Sequence, residues 1–208
     1  MFKTRSLFFT YNKSAYFSFP DINLAAGEDL LILGESGIGK TTLLHLMAGL
    51  LRPESGSVEL MGTRLHDLPT EKLDRFRGQY IGLVFQRPYF VHALTLQENL
   101  ALIQYLAGKK QDKDRIKEVI DGLGIGHKFT EKPHRMSQGE QQRASIALAV
   151  VNSPQLILAD EPTSSLDDKN SMKVTTLLKE QASATGAQLI IITHDQRLKH
   201  QFHNMLQL

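Results

Sequence analysis

The sequence predicts an α/β fold in which a mostly parallel core sheet carries an N-terminal antiparallel β-subdomain and an inserted helical subdomain. Three observations lead to this prediction: a glycine-rich segment between an apolar strand and a helix, an alternation of strands and helices, and a central stretch with helical patterns only. Alternating strands and helices favour a parallel sheet. We expect a single domain over 1–208, with a core subdomain at about 1–86 and 154–208 and a helical subdomain at about 87–153.

The first 34 residues are predicted to be mostly β-structure. Turn-forming residues separate short runs of β-type side chains, which lie at 6–11, 15–19, 22–24 and 30–33. Tyr11 lies on the first run, where an aromatic ring could stack on a purine. In isolation, a tyrosine at this place would more often be an ordinary strand residue.

The segment 34–41 follows the apolar strand and has the sequence Gly-Glu-Ser-Gly-Ile-Gly-Lys-Thr. Glycines let the backbone curl so that successive N–H groups face a phosphate chain, and a helix N-terminus adds further donors. At this spacing Lys40 is expected to reach the β- and γ-phosphates and Thr41 to hold Mg²⁺. Any one of these glycines alone would more often belong to an ordinary turn. The residues predicted to bind the nucleotide here are Gly34, Glu35, Ser36, Gly37, Ile38, Gly39, Lys40, Thr41 and Thr42.

The next part of the chain continues the alternation of helices and strands. The pattern predicts a helix that ends near Leu50, a strand at 57–61, a helix at 70–77 and a strand at 79–85. Gln86 then follows at the carboxyl end of the last strand. A surface glutamine has no special meaning alone, but beside a bound nucleotide its amide oxygen could ligate Mg²⁺ or orient water.

The stretch from 87 to 153 has helical patterns only, which predict helices at 95–106, 112–123 and 138–151. The mixed charges of 109–118 are typical of a solvated helix face. Glycines 122, 124 and 126 superficially resemble a second glycine-rich loop, but they follow a helix and no strand. We therefore predict a helix end and a loop at this place.

The core is expected to resume with a continuous apolar strand at 155–159, a helix at 169–184 and a strand at 188–193. Asp160 and Glu161 close the first of these strands, and His194 closes the second. In open parallel sheets, ligands bind at the carboxyl ends of the strands. Gln86, Asp160, Glu161 and His194 are therefore expected to converge beside the glycine-rich segment.

These strand-end residues suggest the chemistry of γ-phosphate hydrolysis, which depends mainly on positioning and charge neutralisation. We expect Asp160 to hold Mg²⁺, Glu161 to polarise the attacking water, and His194 to hydrogen-bond the γ-phosphate or that water. Alone, an Asp-Glu pair or a single histidine would more often be a helix cap or a solvated group. Their shared placement at strand ends favours the catalytic interpretation.

Composition limits the classes of partner. The 24 Lys and Arg residues nearly balance 22 Asp and Glu, and the net charge of +2 predicts no broad basic face for nucleic acid. The chain has no cysteine and therefore no disulfide framework or thiol nucleophile, which favours a reducing compartment. No apolar run is longer than a typical β-strand. We therefore expect that the protein needs a separate anchor if it acts at a membrane.

The order of these motifs resembles the nucleotide-binding subunit of an ATP-binding cassette (ABC) transporter over nearly the whole chain. The resemblance rests on the segments 34–41, 136–143, 156–161 and 164–167, together with Gln86 and His194. The segment 136–143, Met-Ser-Gln-Gly-Glu-Gln-Gln-Arg, is similar to the signature of this family. The resemblance implies an ATPase that binds ATP and Mg²⁺ and forms a head-to-tail homodimer around two ATP molecules.

In such a dimer, Ser137, Gly139 and Glu140 would belong to the site for the partner subunit's ATP, and Asp167 would lie across the interface. Tyr11 would then stack on adenine. Two positions depart from the usual signature, since Gln138 replaces a glycine and Glu140 replaces a glutamine. Gln138 is the less frequent variant, and its side chain would either crowd the nucleotide or point away from it.

The resemblance also implies a separate integral-membrane permease at the cytoplasmic face of the inner membrane. Motifs such as Phe85-Gln86-Arg87 look most like the lipoprotein-releasing and macrolide-export group. One alternative is an ABC ATPase that regulates a membrane-bound cell-envelope complex without transport. Another is a soluble ABC ATPase that acts on ribosomes or DNA, although such proteins generally have two fused cassettes or a long coiled coil.

Overall fold

The protein is described by a computed structural model for residues 1–12, 15–164 and 166–208. These residues form two five-stranded sheets. The strands are β1 (Phe2–Asn12), β2 (Ala15–Ser18), β3 (Ile22–Leu24), β4 (Asp29–Leu33), β5 (Ser55–Leu60), β6 (Thr63–Arg64), β7 (Ile81–Val84), β8 (Leu156–Asp160), β9 (Gln188–Thr193) and β10 (Met205–Gln207). The helices are α1 (Lys40–Met47), α2 (Thr70–Tyr80), α3 (Leu96–Leu106), α4 (Lys113–Gly122), α5 (Gln138–Val150) and α6 (Asp168–Thr185).

The first sheet is antiparallel and is organised around the long strand β1. Strand β1 pairs with β2, β3 and β5, and β6 extends the sheet beyond β5. This arrangement confirms the predicted N-terminal β-subdomain. A buried hydroxyl helps to fix it, because Thr4 Oγ1 accepts a hydrogen bond of 2.9 Å from the Ile22 N–H.

The second sheet has the order β10-β4-β9-β8-β7, and every neighbouring pair is parallel. Successive side chains of a strand point to opposite faces. In β4, Leu31 and Leu33 accordingly belong to one hydrophobic core, while Leu30 and Ile32 belong to the other. Helix α1 packs on the second face, and α3 to α6 contribute to the first. The predicted parallel core is confirmed.

Between β7 and β8, the described chain forms helices, short 3₁₀ turns and loops, without a strand. Helix α5 approaches β7 so closely that a Cβ on Gly82 would lie 2.3 Å from the Ala149 carbonyl oxygen. A glycine is therefore required at this strand position. Within the ranges that the structure describes, no helix is both long and apolar enough to cross a membrane.

Several predicted boundaries were wrong. The first strand, predicted at 6–11, runs from Phe2 to Asn12. Helix α2 continues to Tyr80, so the strand predicted at 79–85 begins only at Ile81. A distant contact holds the last turn, because Gln79 Nε2 donates to the Ala107 carbonyl at 2.9 Å. The strand predicted at 57–61 runs from Ser55 to Leu60, since Met61 turns the chain with φ of 54°. Strand β10 was not predicted.

Candidate nucleotide-binding site

The glycine-rich segment connects β4 to α1, as predicted. Gly37 and Gly39 have φ of 86° and 104°, a backbone region that L-residues with side chains rarely occupy. At Gly39 there is also no room, because a Cβ would lie 2.6 Å from the Phe17 ring. Phe17 thus packs directly against the turn that begins α1.

The Lys40 side chain is buried and folds back into the loop. Its Nζ donates to the carbonyl oxygens of Gly34 and Glu35, both at 2.9 Å, and lies 3.2 Å from a Glu161 carboxylate oxygen. The ammonium group is therefore held at the centre of the loop by polar oxygens. A phosphate group entering here would meet a positioned cation.

Asp160 ends β8 and faces the start of α1. Its Oδ2 accepts a hydrogen bond of 2.9 Å from Thr41 Oγ1, whereas its Oδ1 is buried without a hydrogen-bond partner among the described residues. Burial is the main cause that raises the pKa of Asp160, and repulsion from Glu161 adds to it, although the Thr41 hydrogen bond acts in the opposite direction. An unpaired carboxylate oxygen beside a hydroxyl suits a hard divalent cation such as Mg²⁺.

Glu161 follows directly but points elsewhere, because its backbone has φ of 48°. Such a conformation is uncommon for a residue with a side chain. Where it does occur, it is often at a functional site. Its carboxylate accepts hydrogen bonds from Thr193 Oγ1 at 2.8 Å and from His194 Nδ1 at 2.9 Å, which requires the proton on that nitrogen. Burial raises its pKa, but hydrogen bonds from His194, Thr193 and Lys40 outweigh this effect and the net pKa is lowered.

These groups surround one open cleft of about 330 Å³. Gln86 reaches it from the carboxyl end of β7 and donates from Nε2 to Ser164 Oγ at 3.2 Å. The residues that line the cleft are Phe17, Ser36, Gly37, Gly39, Lys40, Thr41, Thr42, Gln86, Glu161 and His194. The structure therefore brings the predicted strand-end residues together with the glycine-rich segment.

Tyr11 lies at the edge of this region. Its side chain is 57 % exposed, its hydroxyl lies 3.1 Å from Thr42 Oγ1, and its ring contacts Phe9 edge-on with centroids 4.8 Å apart. The Tyr11 ring also lies 6.1 Å from the ring of Phe17, which lines the cleft.

Two residues of the site were missed in the sequence. Phe17 lines the cleft, and Thr193 orients Glu161. Thr193 ends a buried strand immediately before His194, and this strand-end position could have indicated it. Phe17 gives no comparable local signal, because its contact with Gly39 depends on how β2 folds over the loop.

The signature-like segment lies outside this cleft. Ser137 is the N-cap of α5, and its side chain accepts a hydrogen bond of 3.4 Å from the Glu140 N–H. Glu140 Oε2 accepts in return from the Ser137 N–H at 2.8 Å and from Ser137 Oγ at 2.9 Å. The Ser137 N–H, followed by His127, lowers the pKa of Glu140 to about 2. Gly139 has open space beside its Cα.

Gln138 lines a second cleft of about 330 Å³ with Gln86 and Ser164 of the same chain. Asp167 is the N-cap of α6 and accepts a hydrogen bond of 2.8 Å from the Asn170 N–H. Ser165, which belongs to the segment 164–167, lies outside the described residues. Within one chain, Ser137, Gly139, Glu140 and Asp167 do not line the cleft that contains Lys40.

A glycine-rich loop connects a parallel strand to a helix, and a buried lysine and the acidic residues of a neighbouring strand end lie beside it. This combination defines a P-loop nucleotide-binding protein. The family described as ABC transporter matches residues 20–164. The chain belongs to the ABC transporter family and is an ATP-binding ATPase of this family.

Named relatives support this assignment. The lipoprotein-releasing system ATP-binding protein LolD of Shewanella denitrificans is 38% identical over 182 residues, covering 86% of this chain and 78% of the relative. The LolD protein of Xanthomonas euvesicatoria is 37% identical over 190 residues, covering 90% of this chain and 78% of the relative.

Solved structures have the same fold. The dimeric, post-hydrolysis ATP-binding cassette MJ0796 bound to ADP and Pi has a TM-score of 0.88 at 30% identity, covering 100% of this chain and 94% of that one. CbiO1 of Clostridium perfringens, part of the ABC transporter complex cbiONQ, has a TM-score of 0.79 at 27% identity, covering 93% of this chain and 78% of that one.

Proposed function

We propose that this ATPase hydrolyses Mg²⁺-ATP at the Lys40 cleft and thereby powers a separate integral-membrane subunit at the cytoplasmic face of the inner membrane. One observation carries the proposal for the site. A single cleft brings together groups that lie far apart in the sequence, namely Lys40, the Thr41–Asp160 pair and the Glu161–His194 pair. These are the groups that phosphoryl transfer to water requires.

Thr41, Asp160 and Gln86 would hold the magnesium ion. The unpaired Asp160 Oδ1 supports this assignment, as does the preference of Mg²⁺ for a few protein oxygens together with phosphate oxygens. A bound Mg²⁺ would neutralise part of the phosphate charge. Within the described ranges there is no group of three or more His, Cys, Asp and Glu side chains arranged for a metal, and this mode of binding needs none.

Bound ATP would replace the present hydrogen-bond partners of Lys40 with phosphate oxygens. In the structure its ammonium group bonds to two loop carbonyls and to Glu161. A phosphate chain cradled by the N–H groups of 34–42 would bring its own negative oxygens to Nζ and free the Glu161 carboxylate. That carboxylate, ionised at neutral pH, would then accept a hydrogen bond from the attacking water, while His194 contacts the γ-phosphate.

We further propose a head-to-tail homodimer with two ATP molecules between the subunits. Ser137 and Gly139 are exposed at the N-terminus of α5, where the helix dipole favours negative charge, yet they lie outside their own chain's Lys40 cleft. In the proposed dimer they would face the γ-phosphate held by the partner subunit, with Glu140 and Asp167 nearby. The dimeric state of the cassette MJ0796 supports this arrangement.

The surface that we propose for the membrane partner lies next to Gln86. An apolar groove of about 460 Å³ runs between β7 and helices α2, α3 and α5, and Phe85, Tyr89 and Leu106 belong to its lining. Tyr89 and Leu106 are 73 % and 65 % exposed, which is unusual for apolar groups without a partner. We propose that an apolar segment of the permease docks here, against the helical subdomain at about 87–153.

The LolD relatives are named for a lipoprotein-releasing system. By analogy, lipid-modified proteins are the class of cargo that we propose for the complex.

The test uses tagged Glu161→Gln, which should bind ATP but hardly hydrolyse it. It is purified from detergent-solubilised native cells with ATP and Mg²⁺, and the co-purified proteins are identified. We expect a stoichiometric integral-membrane protein. The matched control is Glu161→Gln combined with Leu106→Glu, which should retain ATP binding and lose the membrane protein. Ribosomal proteins or nucleic acid in place of a membrane subunit would contradict the proposal.

A further inference from the structure

An arginine beyond the cleft joins two parts of the chain that border it. The Arg197 guanidinium binds Asp195 with two parallel hydrogen bonds, Nε to Oδ1 at 2.7 Å and Nη2 to Oδ2 at 2.8 Å. The same guanidinium pairs with Asp168 through Nη1, and its Nη2 donates to Ser171 Oγ at 3.3 Å. Asp168 and Ser171 belong to the first turn of α6, whereas Asp195 directly follows His194.

The contacts continue from Asp195 to the catalytic carboxylate. Asp195 is buried and also accepts a hydrogen bond from Thr163 Oγ1 at 3.1 Å. Its N–H donates to Thr193 Oγ1 at 3.0 Å, and this hydroxyl donates to Glu161 at 2.8 Å. Arg197 is therefore linked to Glu161 through two hydrogen-bonded residues.

A local role explains only part of this arrangement. Asp195 is the N-cap of the 3₁₀ helix Gln196–Gln201 and accepts the Arg197 N–H at 3.0 Å, so their pairing could simply stabilise that turn. The contacts to Asp168 and Ser171 instead span 29 and 26 residues. Paired charges hold this link, because the Arg197 hydrogen bonds lower the pKa of Asp195, and Asp195 and Asp168 raise that of Arg197.

We propose that Arg197 is a positioning residue for ATP hydrolysis. It fastens the start of α6 to the turn that carries His194, and so keeps His194 and Glu161 in their mutual geometry. The inference rests on the proposed function of the Lys40 cleft. Since Arg197 does not line that cleft, its loss changes the hydrolytic step and leaves ATP binding intact.

The test measures kcat and KM for ATP in Arg197→Lys and Asp168→Asn. Lysine keeps the charge but cannot form the two-pronged contact with Asp195. Asp168→Asn removes the ion pair to α6 and leaves the Asp195 contacts in place. We expect kcat to fall about threefold to thirtyfold in Arg197→Lys, and less but in the same direction in Asp168→Asn. KM for ATP stays unchanged in both variants.

The matched control is Glu118→Gln, which breaks the ion pair of Arg115 and Glu118 on α4. The acidic side chains are similarly exposed, 69% for Glu118 and 84% for Asp168. Because this pair lies far from His194 in the sequence and outside the cleft, we expect kcat to remain at the wild-type value. A general effect of losing a surface charge would appear in this variant as well.

A double variant identifies the route of the effect. If Arg197 acts through the contacts of Asp195 and Thr193 to Glu161, then Arg197→Lys lowers kcat in the wild-type background but not in a Thr193→Val background. An active wild type whose kcat is unaffected by Arg197→Lys and Asp168→Asn overturns this inference alone. Equal effects in both backgrounds, or a parallel rise in KM, also overturn it. A wild type without ATPase activity overturns the proposed function and this inference together.

Discussion

At the scale of single residues, two adjacent carboxyl groups are held in opposite ways. Asp160 is buried with one oxygen unpaired, and its pKa is raised. Glu161 is also buried, but Lys40, Thr193 and His194 all donate to it, and its pKa is lowered. The backbone turn at Glu161, with φ of 48°, separates their environments. This contrast supports the proposed roles of Asp160 as a ligand of the cation and of Glu161 as an ionised base.

This contrast predicts opposite stability effects in the nucleotide-free protein. At pH 7, Asp160→Asn should increase the free energy of unfolding by about 1 kcal/mol, because a poorly solvated charge is removed. For a chain of this length, that corresponds to a rise in Tm of about 2–4 °C. Glu161→Gln should lower Tm, because charge-assisted hydrogen bonds are weakened.

The pH dependence follows from the two pKa directions. Asp160 costs stability above its raised pKa, and this cost disappears as the pH falls towards the ordinary value of 3.8. Glu161 contributes stability that is complete above 4.5 and is lost as the pH falls through its lowered pKa. Thermal unfolding of the three proteins from pH 7 down to about pH 2 tests both signs. Equal Tm values at pH 7 would contradict the assignment of their environments.

At the scale of elements, helices α3 and α5 begin with the same reciprocal cap. In α3, Thr95 Oγ1 accepts from the Glu98 N–H at 3.4 Å, and Glu98 Oε2 accepts from the Thr95 N–H at 2.7 Å. The corresponding distances in α5, between Ser137 and Glu140, are 3.4 Å and 2.8 Å. The two helix starts therefore have the same local chemistry, but only α5 belongs to the signature-like segment.

This similarity provides a matched pair of variants. Ser137→Ala and Thr95→Ala should each lower the free energy of unfolding by about 1 kcal/mol, the usual cost of losing an N-cap side chain. Only Ser137→Ala should also lower the ATPase rate, because only α5 is proposed to face the partner subunit's ATP. The readouts are Tm and steady-state ATP hydrolysis. Equal loss of activity in both variants would indicate that Ser137 acts through stability alone.

Local patterns in the sequence were sufficient to predict most strand ends and the glycine-rich segment. The strand before Asp160 is continuously apolar, and Gly37 and Gly39 occur at the spacing that a phosphate loop needs. The end of α2 could not be predicted in this way, because the partner of Gln79 is the Ala107 carbonyl, 28 residues away. Phe17 was missed for the same reason, since its contact depends on tertiary structure.

At the scale of the whole molecule, the two halves of the proposed ATP site do not line one cleft within a single chain. The Lys40 cleft lies at the carboxyl edge of the parallel sheet, and the signature-like segment opens α5 outside that cleft. Two copies in head-to-tail orientation would place each half opposite its complement. Hydrolysis is then expected to depend on protein concentration when the membrane partner is absent.

Gly139 allows a test of this arrangement without disturbing the fold. A Cβ at Gly139 would meet no atom within 4 Å, and its φ lies outside the left-handed region, so Gly139→Ala should fold normally. Alanine in a helix is also favoured over glycine by roughly 0.5–1 kcal/mol. We nevertheless expect Gly139→Ala to weaken ATP-dependent dimerisation in the Glu161→Gln background, as measured by sedimentation, because the methyl group would face the partner's phosphates.

The control is Gly122→Ala, at the end of α4, where a Cβ likewise meets no atom within 4 Å. This variant should dimerise as readily as the parent. If Gly139→Ala also dimerises normally with ATP, the signature-like segment does not approach the nucleotide.

The helices between β7 and β8 leave the sheet and return to it at neighbouring strands, since Ile81 pairs with Leu156. The hydrogen-bonded β7–β8 pair thus fixes both ends of this helical segment, independently of the structure between them. Gln86 is the one proposed Mg²⁺ ligand at its near end, whereas Lys40, Asp160, Glu161 and His194 lie on other connections. Evolution could therefore remodel residues 87–135, which precede the signature-like segment, to suit new membrane partners while the hydrolytic chemistry stayed intact. We expect chimaeras that exchange these residues between relatives to change partner and keep ATP turnover.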